Sequence, residues 1–265
     1  MQHTESALAT DVDHNQHLDE VGELFATLLV TPPERLTACR GWTAHELVAH
    51  LAAGAREEAD LIEAHLAGRP RATRPFEDRE PAFRALPDAE LRDRLVEEGA
   101  RLTNVLDALA ARDVHEPVEF TGRPMTRADF AMHSRSECAL HRWDLVGRDD
   151  VGWAMLAQPA LTKHSLGVLS AMATLPEAPA NRLGPVDGEP VRIVLRSAPH
   201  DDVVVTLSGG VVALALVPIG DTAPTAELDP AARLLALWGR REPSAPIDVN
   251  ATGAAAGALT ALFGW

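Results

Sequence analysis

The sequence predicts an α+β protein: a four-helix bundle over residues 1–150, followed over 151–265 by a small α+β domain with an antiparallel sheet. Three observations carry this. Apolar residues recur at helical spacing in four segments of the first 150 residues, and after Gly147 the composition shifts to turn-rich linkers and alternating β-type runs. A chain of 265 residues is also longer than one core usually takes. Hydrophobic residues at 46% and charged residues at 24% are globular values, with ample material for two cores.

The first expected helix runs from about Asp13 to Val30, with Leu18, Val21, Leu24, Phe25 and Leu28 in register, and Pro32 and Pro33 stop it. The second opens in GWTAHELVAHLAAG, residues 41–54, where Thr43 and Glu46 have the spacing of a capping box and Trp42 can staple onto Leu47. With Thr43 as N-cap, the inward stripe is Leu47, His50, Leu51, Gly54, Glu58, Leu61 and Ile62. His50 lies on that stripe, and His45 falls on the solvent side. A proline- and arginine-rich connection, GRPRATRPFEDREP, then leads to a third helix from about Asp88 to Arg112, with Leu91, Leu95, Leu102, Leu106 and Leu109 in register. The fourth starts at Thr126, paired with Asp129 in a second capping-box spacing, and reaches about Val146. Its inward stripe is Phe130, His133 or Ser134, Glu137, Leu140 or His141, and Asp144.

Beyond Gly147 one further helix is expected over about Ala154 to Thr174, then the turn-rich linker APANRLGPVDGEP. The segments VRIVLRSA, DVVVTLSG and VVALALVP alternate as strands of an antiparallel meander, with SGG as a hairpin turn. DPAARLLALWGRR reads as a helix, IDVNATG as a strand and turn, and AAAGALTALFGW as a final helix.

The formal charge of −15, with arginines scattered singly, argues against nucleic acid or an anionic membrane surface as partner. No run reaches the roughly 18 apolar residues of a membrane span, and the opening residues lack the basic and apolar regions of a signal peptide. A cytoplasmic protein is expected. Its two cysteines, Cys39 and Cys138, fit a reducing compartment.

HELVAH has the letters of a metalloprotease helix but not its geometry. His45 and His50 are five residues apart, which leaves them about 140° apart around a helix, so they cannot grip one ion together. The constellation with chemical promise pairs His50 with SECALHRWD, where Glu137 and His141 are four apart and share one face. Both fall on a predicted buried stripe, and a buried carboxylate has to be answered by a cation or an ion pair. Helix bundles place metal sites in their cores with such residues, and three protein ligands leave a coordination position open. Imidazole and carboxylate suit zinc, and also nickel, iron or manganese. His133 is the main competing ligand. Asp144 either orients His141 or pairs with Arg142 or Arg148 at the helix end, with the second role slightly preferred. Cys138 lies about 100° off the Glu137 direction and reads as a small core filler. There is no Gly-x-Ser-x-Gly nucleophile elbow and no phosphate-cradling loop.

TACRGWTAHELVAHLAAG and SECALHRWDL resemble the second-helix and fourth-helix signatures of the mycothiol-dependent maleylpyruvate isomerase family. LLALWGR is similar to a segment of that family's C-terminal domain. The resemblance implies a DinB-like metal-binding bundle over residues 1–150 and, over 151–265, an α+β domain resembling a sterol carrier protein. It implies His50, Glu137 and His141 as zinc ligands and mycothiol as the thiol cofactor. It also implies a catalytic arginine, matched to Arg240, with Arg233 and Arg241 close by. The metal would hold the thiol as thiolate for addition to a small electrophilic substrate, in an isomerase or a thiol S-transferase. An alternative reading is a small-molecule or lipid binding protein with a structural or vestigial metal site, suggested by the apolar strand residues Val203, Val205, Leu207, Val211 and Leu214.

Overall fold

The computed structural model describes residues 20–111, 116–172, 178–183, 189–220 and 223–263. It divides into two compact units, Met1–Gly147 and Arg148–Trp265. The first contains α1 (residues 20–30), α2 (Ala44–Leu66), α3 (Phe76–Arg79), α4 (Pro81–Arg84), α5 (Asp88–Ala111), the hairpin β1 (Val118–Phe120) and β2 (Arg123–Met125), and α6 (Arg127–Val146). The expected start of α1 with Leu18, and the expected ends at Arg112 and Thr174, lie outside the described residues.

Both predicted capping boxes form. Glu46 Oε2 accepts the Thr43 N–H at 2.7 Å while Thr43 Oγ1 accepts from the Glu46 N–H, and Thr126 and Asp129 repeat the exchange at the head of α6. These caps set the rotational phase of α2 and α6, and so decide which side chains face each other. His45 is not on the solvent side as expected. Its ring bonds the Asp88 carboxylate at 3.3 Å and the Arg84 carbonyl at 3.1 Å, tying α2 to the segment before α5.

The apolar interior of this unit falls into two clusters. One gathers Leu24 and Leu28 of α1, Leu47, Val48 and Ala52 of α2, and Leu91 and Leu95 of α5. The other gathers Leu61 and Ile62 of α2, Leu102 and Leu106 of α5, and Phe120, Met125 and Phe130. Along each long helix the residues between the clusters are polar: Glu57 and Glu58 on α2, Glu98 on α5, and His133, Arg135 and Glu137 on α6. Arg135 is answered by Glu20 of α1 at 2.7 Å.

The second unit contains α7 (Asp150–Leu156), α8 (Pro159–Ala171), α9 (Pro179–Leu183), β3 (Val191–Ser197), β4 (His200–Ser208), β5 (Val211–Val217), β6 (Ala226–Leu228), α10 (Pro230–Leu237), β7 (Ile247–Val249) and α11 (Gly253–Phe263). The single helix expected over Ala154 to Thr174 is two. Asp149 caps α7, and Pro159 opens α8 after an extended Gln158, because proline disfavours helical backbone in the residue before it.

The meander β3–β4–β5 pairs antiparallel, with Gly209 and Gly210 at positive φ in the β4–β5 turn, where a side chain would be strained. The sheet order is β5-β4-β3-β6-β7. β6 lies parallel to β3, so one parallel pair stands in an otherwise antiparallel sheet. Val203, Val205 and Leu207 of the lipid-binding reading are buried core, while Val211 is exposed. No helix of the described residues is long and apolar enough to cross a membrane.

Candidate metal centre

His50 sits seven residues after the Thr43 cap, and Glu137 and His141 occupy successive turns of α6. The structure brings the three together: their ligand atoms all lie within 4.8 Å of one another. His50 Nε2 and His141 Nε2 are each 3.4 Å from Glu137 Oε2, and the two imidazole rings meet edge to face at 5.3 Å.

The opposite nitrogen of each ring is held by a carboxylate. His50 Nδ1 donates to Glu80 Oε1 at 2.7 Å, and His141 Nδ1 donates to Asp144 Oδ2 at 2.9 Å. With Nδ1 committed to a carboxylate, each Nε2 faces Glu137: protonated it donates to that carboxylate, and with that proton gone it would offer its lone pair to a cation in the same place. Glu80 in turn accepts from Arg84 at 2.8 Å, and Asp144 accepts from Cys39 Sγ at 3.1 Å. The loop that carries Cys39 is fastened to α6 by the Ala38 N–H, which donates to the Asp144 carbonyl at 2.8 Å.

Burial alone would push the Glu137 carboxyl up, but hydrogen bonds from His141 and His50, with the charge of His133, hold it well below the usual carboxylate range. Burial likewise opposes a charged His141, yet its bonds to Asp144, Cys39 and Glu137 raise it well above an ordinary histidine. Groups that retain a proton this firmly between carboxylates offer a cation the same surroundings, and a metal would bind in competition with that proton. The Trp42 ring at 5.2 Å and the Phe76 ring at 5.6 Å flank His50. The Glu137 side chain stays 21% exposed, leaving one side of the triad open.

The competing ligand His133 is not in this group. It lies one turn earlier, 3.8 Å from Glu58 and packed edge to face on Phe120, and burial lowers its pKa. Asp144 holds His141 at 2.9 Å, the orienting role of the two that the sequence allows. Cys138 is buried in the first apolar cluster, where burial pushes its thiol up and leaves it inert. In the second unit Arg233 is 1% exposed and donates to the Leu195 and Asp201 carbonyls at 3.3 and 2.7 Å, which makes it a core residue. Arg240 is partly exposed and donates to the Trp238 carbonyl at 3.1 Å.

Sequence reasoning missed Glu80. It lies between two four-residue helices in what read as a plain connection, and the only local signal was Pro81, which opens α4 at its first position.

A family model described as the mycothiol maleylpyruvate isomerase N-terminal domain matches residues 15–146. Two solved structures share the fold over 89% of this chain and 92% of theirs. One is the crystal structure of a mycothiol-dependent maleylpyruvate isomerase, 17% identical with a TM-score of 0.57. The other is a histidine-to-alanine mutant of the mycothiol-dependent maleylpyruvate isomerase, 16% identical with a TM-score of 0.59. No curated protein matches.

Proposed function

We propose, for a chain that belongs through residues 15–146 to the mycothiol maleylpyruvate isomerase family, that it is a cytoplasmic, mycothiol-dependent metalloenzyme. His50, Glu137 and His141 would hold one divalent metal, zinc before nickel, iron or manganese. The thiol would then add to a small electrophilic substrate, in an isomerase or an S-transferase reaction. The observation that supports this best is the orientation of both imidazoles by buried carboxylates, Glu80 and Asp144, so that two Nε2 atoms and one Glu137 oxygen converge. A two-nitrogen, one-oxygen donor set fits such an ion and leaves a position open.

A divalent cation held there supplies a Lewis acid that favours thiolate over thiol at neutral pH. The chain's own residues do the rest. Glu80 and Asp144 fix ring orientation and tautomer, and the Trp42 and Phe76 rings give the site an apolar wall beside His50 that limits water. On the family resemblance, Arg240 is the residue we assign the role of catalytic cation, stabilising charge that develops on the substrate.

Elemental analysis of protein purified without chelator is expected to give about one divalent metal per chain, falling close to zero in His50→Ala. That preparation should convert at least one member of a panel of small electrophiles only when mycothiol is present, with the thiol consumed in a transfer and regenerated in an isomerisation. A folded, metal-free wild-type protein with no thiol-dependent turnover would overturn the reading.

A further inference from the structure

We infer that Cys39, His141 and Asp144 form a second metal position, on the Nδ1 side of the His141 ring, that takes a thiophilic cation. The position stands whether or not the thiol-addition reading does; only its effect on the first metal position rests on that reading.

Three different donor atoms converge there. Cys39 Sγ is 3.1 Å from Asp144 Oδ2 and 3.9 Å from His141 Nδ1, and those two atoms are 2.9 Å apart. A tetrahedral ion with sulfur at about 2.3 Å and nitrogen or oxygen at about 2.0–2.2 Å spaces such donors about 3.3–3.6 Å apart, so shifts of about half an ångström seat one. The backbone is already set for it. The Cys39 N–H donates to Thr37 Oγ1 at 3.2 Å, the Trp42 N–H donates to the Cys39 carbonyl at 3.0 Å, and Ala38 fastens this loop to α6 through the Asp144 carbonyl. His141 and Asp144 are 6% and 3% exposed while Cys39 is half-buried, so an ion would enter from the Cys39 side.

The same atoms argue against the other chemistry that Cys, His and Asp perform together. A nucleophilic thiol needs its base on one ring nitrogen and the orienting carboxylate on the other. Here the thiol and Asp144 meet the same Nδ1, while Nε2 faces Glu137 at 3.4 Å. The thiol's own proton goes to the carboxylate and not to the ring. A thiol, an imidazole nitrogen and a carboxylate oxygen aimed at one point form a donor set whose sulfur favours soft ions, which the two-nitrogen, one-oxygen set of the first position does not. Binding replaces the proton on Sγ and the proton on Nδ1, both released to solvent. His141 then keeps its proton on Nε2, and the first position loses one of its lone pairs. A thiophilic ion would thus compete with the proposed zinc through the tautomer of one ring, without touching His50.

The test is titration of Cd2+ into chelator-treated protein. Wild type and His50→Ala should both develop the ultraviolet thiolate-to-cadmium charge-transfer band, saturating at about one thiolate-bound ion per chain, and Cys39→Ser should lose it. Asp144→Asn should keep the band with affinity weakened at least about tenfold, because a neutral amide oxygen replaces an anionic one. Long-range nitrogen–proton NMR of wild type with one equivalent of Cd2+ should show His141 bound through Nδ1 and protonated at Nε2. No band in wild type, or a band that survives in Cys39→Ser, overturns the inference. So does a band lost in folded His50→Ala, which would make Cys39 a ligand of the first position. Circular dichroism checks the fold of each variant. If Cys39→Ser does not fold, the ring-nitrogen measurement decides, and binding through Nε2 overturns the inference. Turnover with mycothiol plays no part in this titration, so its failure and that of the enzymatic reading are distinguishable.

Discussion

The two units bury charge to different extents. In the second unit the core of β3, β4 and α10 is apolar apart from a few polar groups, of which Arg233 donates through one Nη to the backbone carbonyls of Leu195 and Asp201 and keeps an unmatched Nε. In the first unit the two apolar clusters are separated by a belt of Glu57, Glu58, Glu98, His133, Arg135 and Glu137, into which Arg79 intrudes from α3. Some of that belt is paired, as Arg135 is with Glu20, and some is not: Glu58 and Arg79 both retain unmatched buried atoms. A buried charge satisfied by backbone stabilises one arrangement of the fold. A buried charge left unsatisfied lowers stability and is tolerated where a ligand or a reaction uses it.

The strongest attempt to break this contrast is Glu58→Gln in chelator-treated protein. Burial and the charge of Glu137 raise the Glu58 carboxyl, so it holds its proton more tightly in the folded chain than in the unfolded one. Its cost is therefore absent below the ordinary value of 4.5, grows as pH rises, and is complete above about 8. The variant should gain on the order of 4 kcal/mol above that range and nothing near the lower limit, measured by urea unfolding across pH. A gain that does not change with pH would remove the contrast. In the second unit, Arg233→Ala should move the other way and cost about 3 kcal/mol, because two carbonyls lose a donor and a cavity opens. Melting temperature and urea midpoint both report it. The smallest expected change is Asp144→Asn, which should leave the fold intact while weakening metal binding about tenfold, since the acceptor that orients His141 loses its charge. Competition with a chromophoric chelator measures it, and unaltered affinity would reduce Asp144 to a structural residue.

Much of this was legible in the sequence. Leu91, Leu95, Leu102, Leu106 and Leu109 are all buried as their spacing predicts, and both capping boxes form, because periodicity and caps are local properties. The meander was readable for the same reason. β6 was not: three residues cannot display an alternation, and its pairing with β3 comes from far along the chain. His50, Glu137 and His141 could be placed together by helical phase. Glu80, Arg79 and Phe76 could not, since a connection without periodicity gives no phase from which to project a side chain. Asp144 was visible but ambiguous, because i,i+3 proximity to His141 and the nearness of Arg142 and Arg148 are equally local, and only the folded ring orientation chooses between them.

The connection from α2 to α5 has a further consequence for how such a protein can change. Phe76 and Arg79 belong to α3 and Glu80 to its junction with α4, while the proposed ligands come from the long helices themselves. The proposed ligands and the groups that surround His50 thus lie on separate pieces of chain. Lengthening or rewriting the short piece would leave most of both apolar clusters in place, so the surroundings of His50 could change without the bundle having to refold differently.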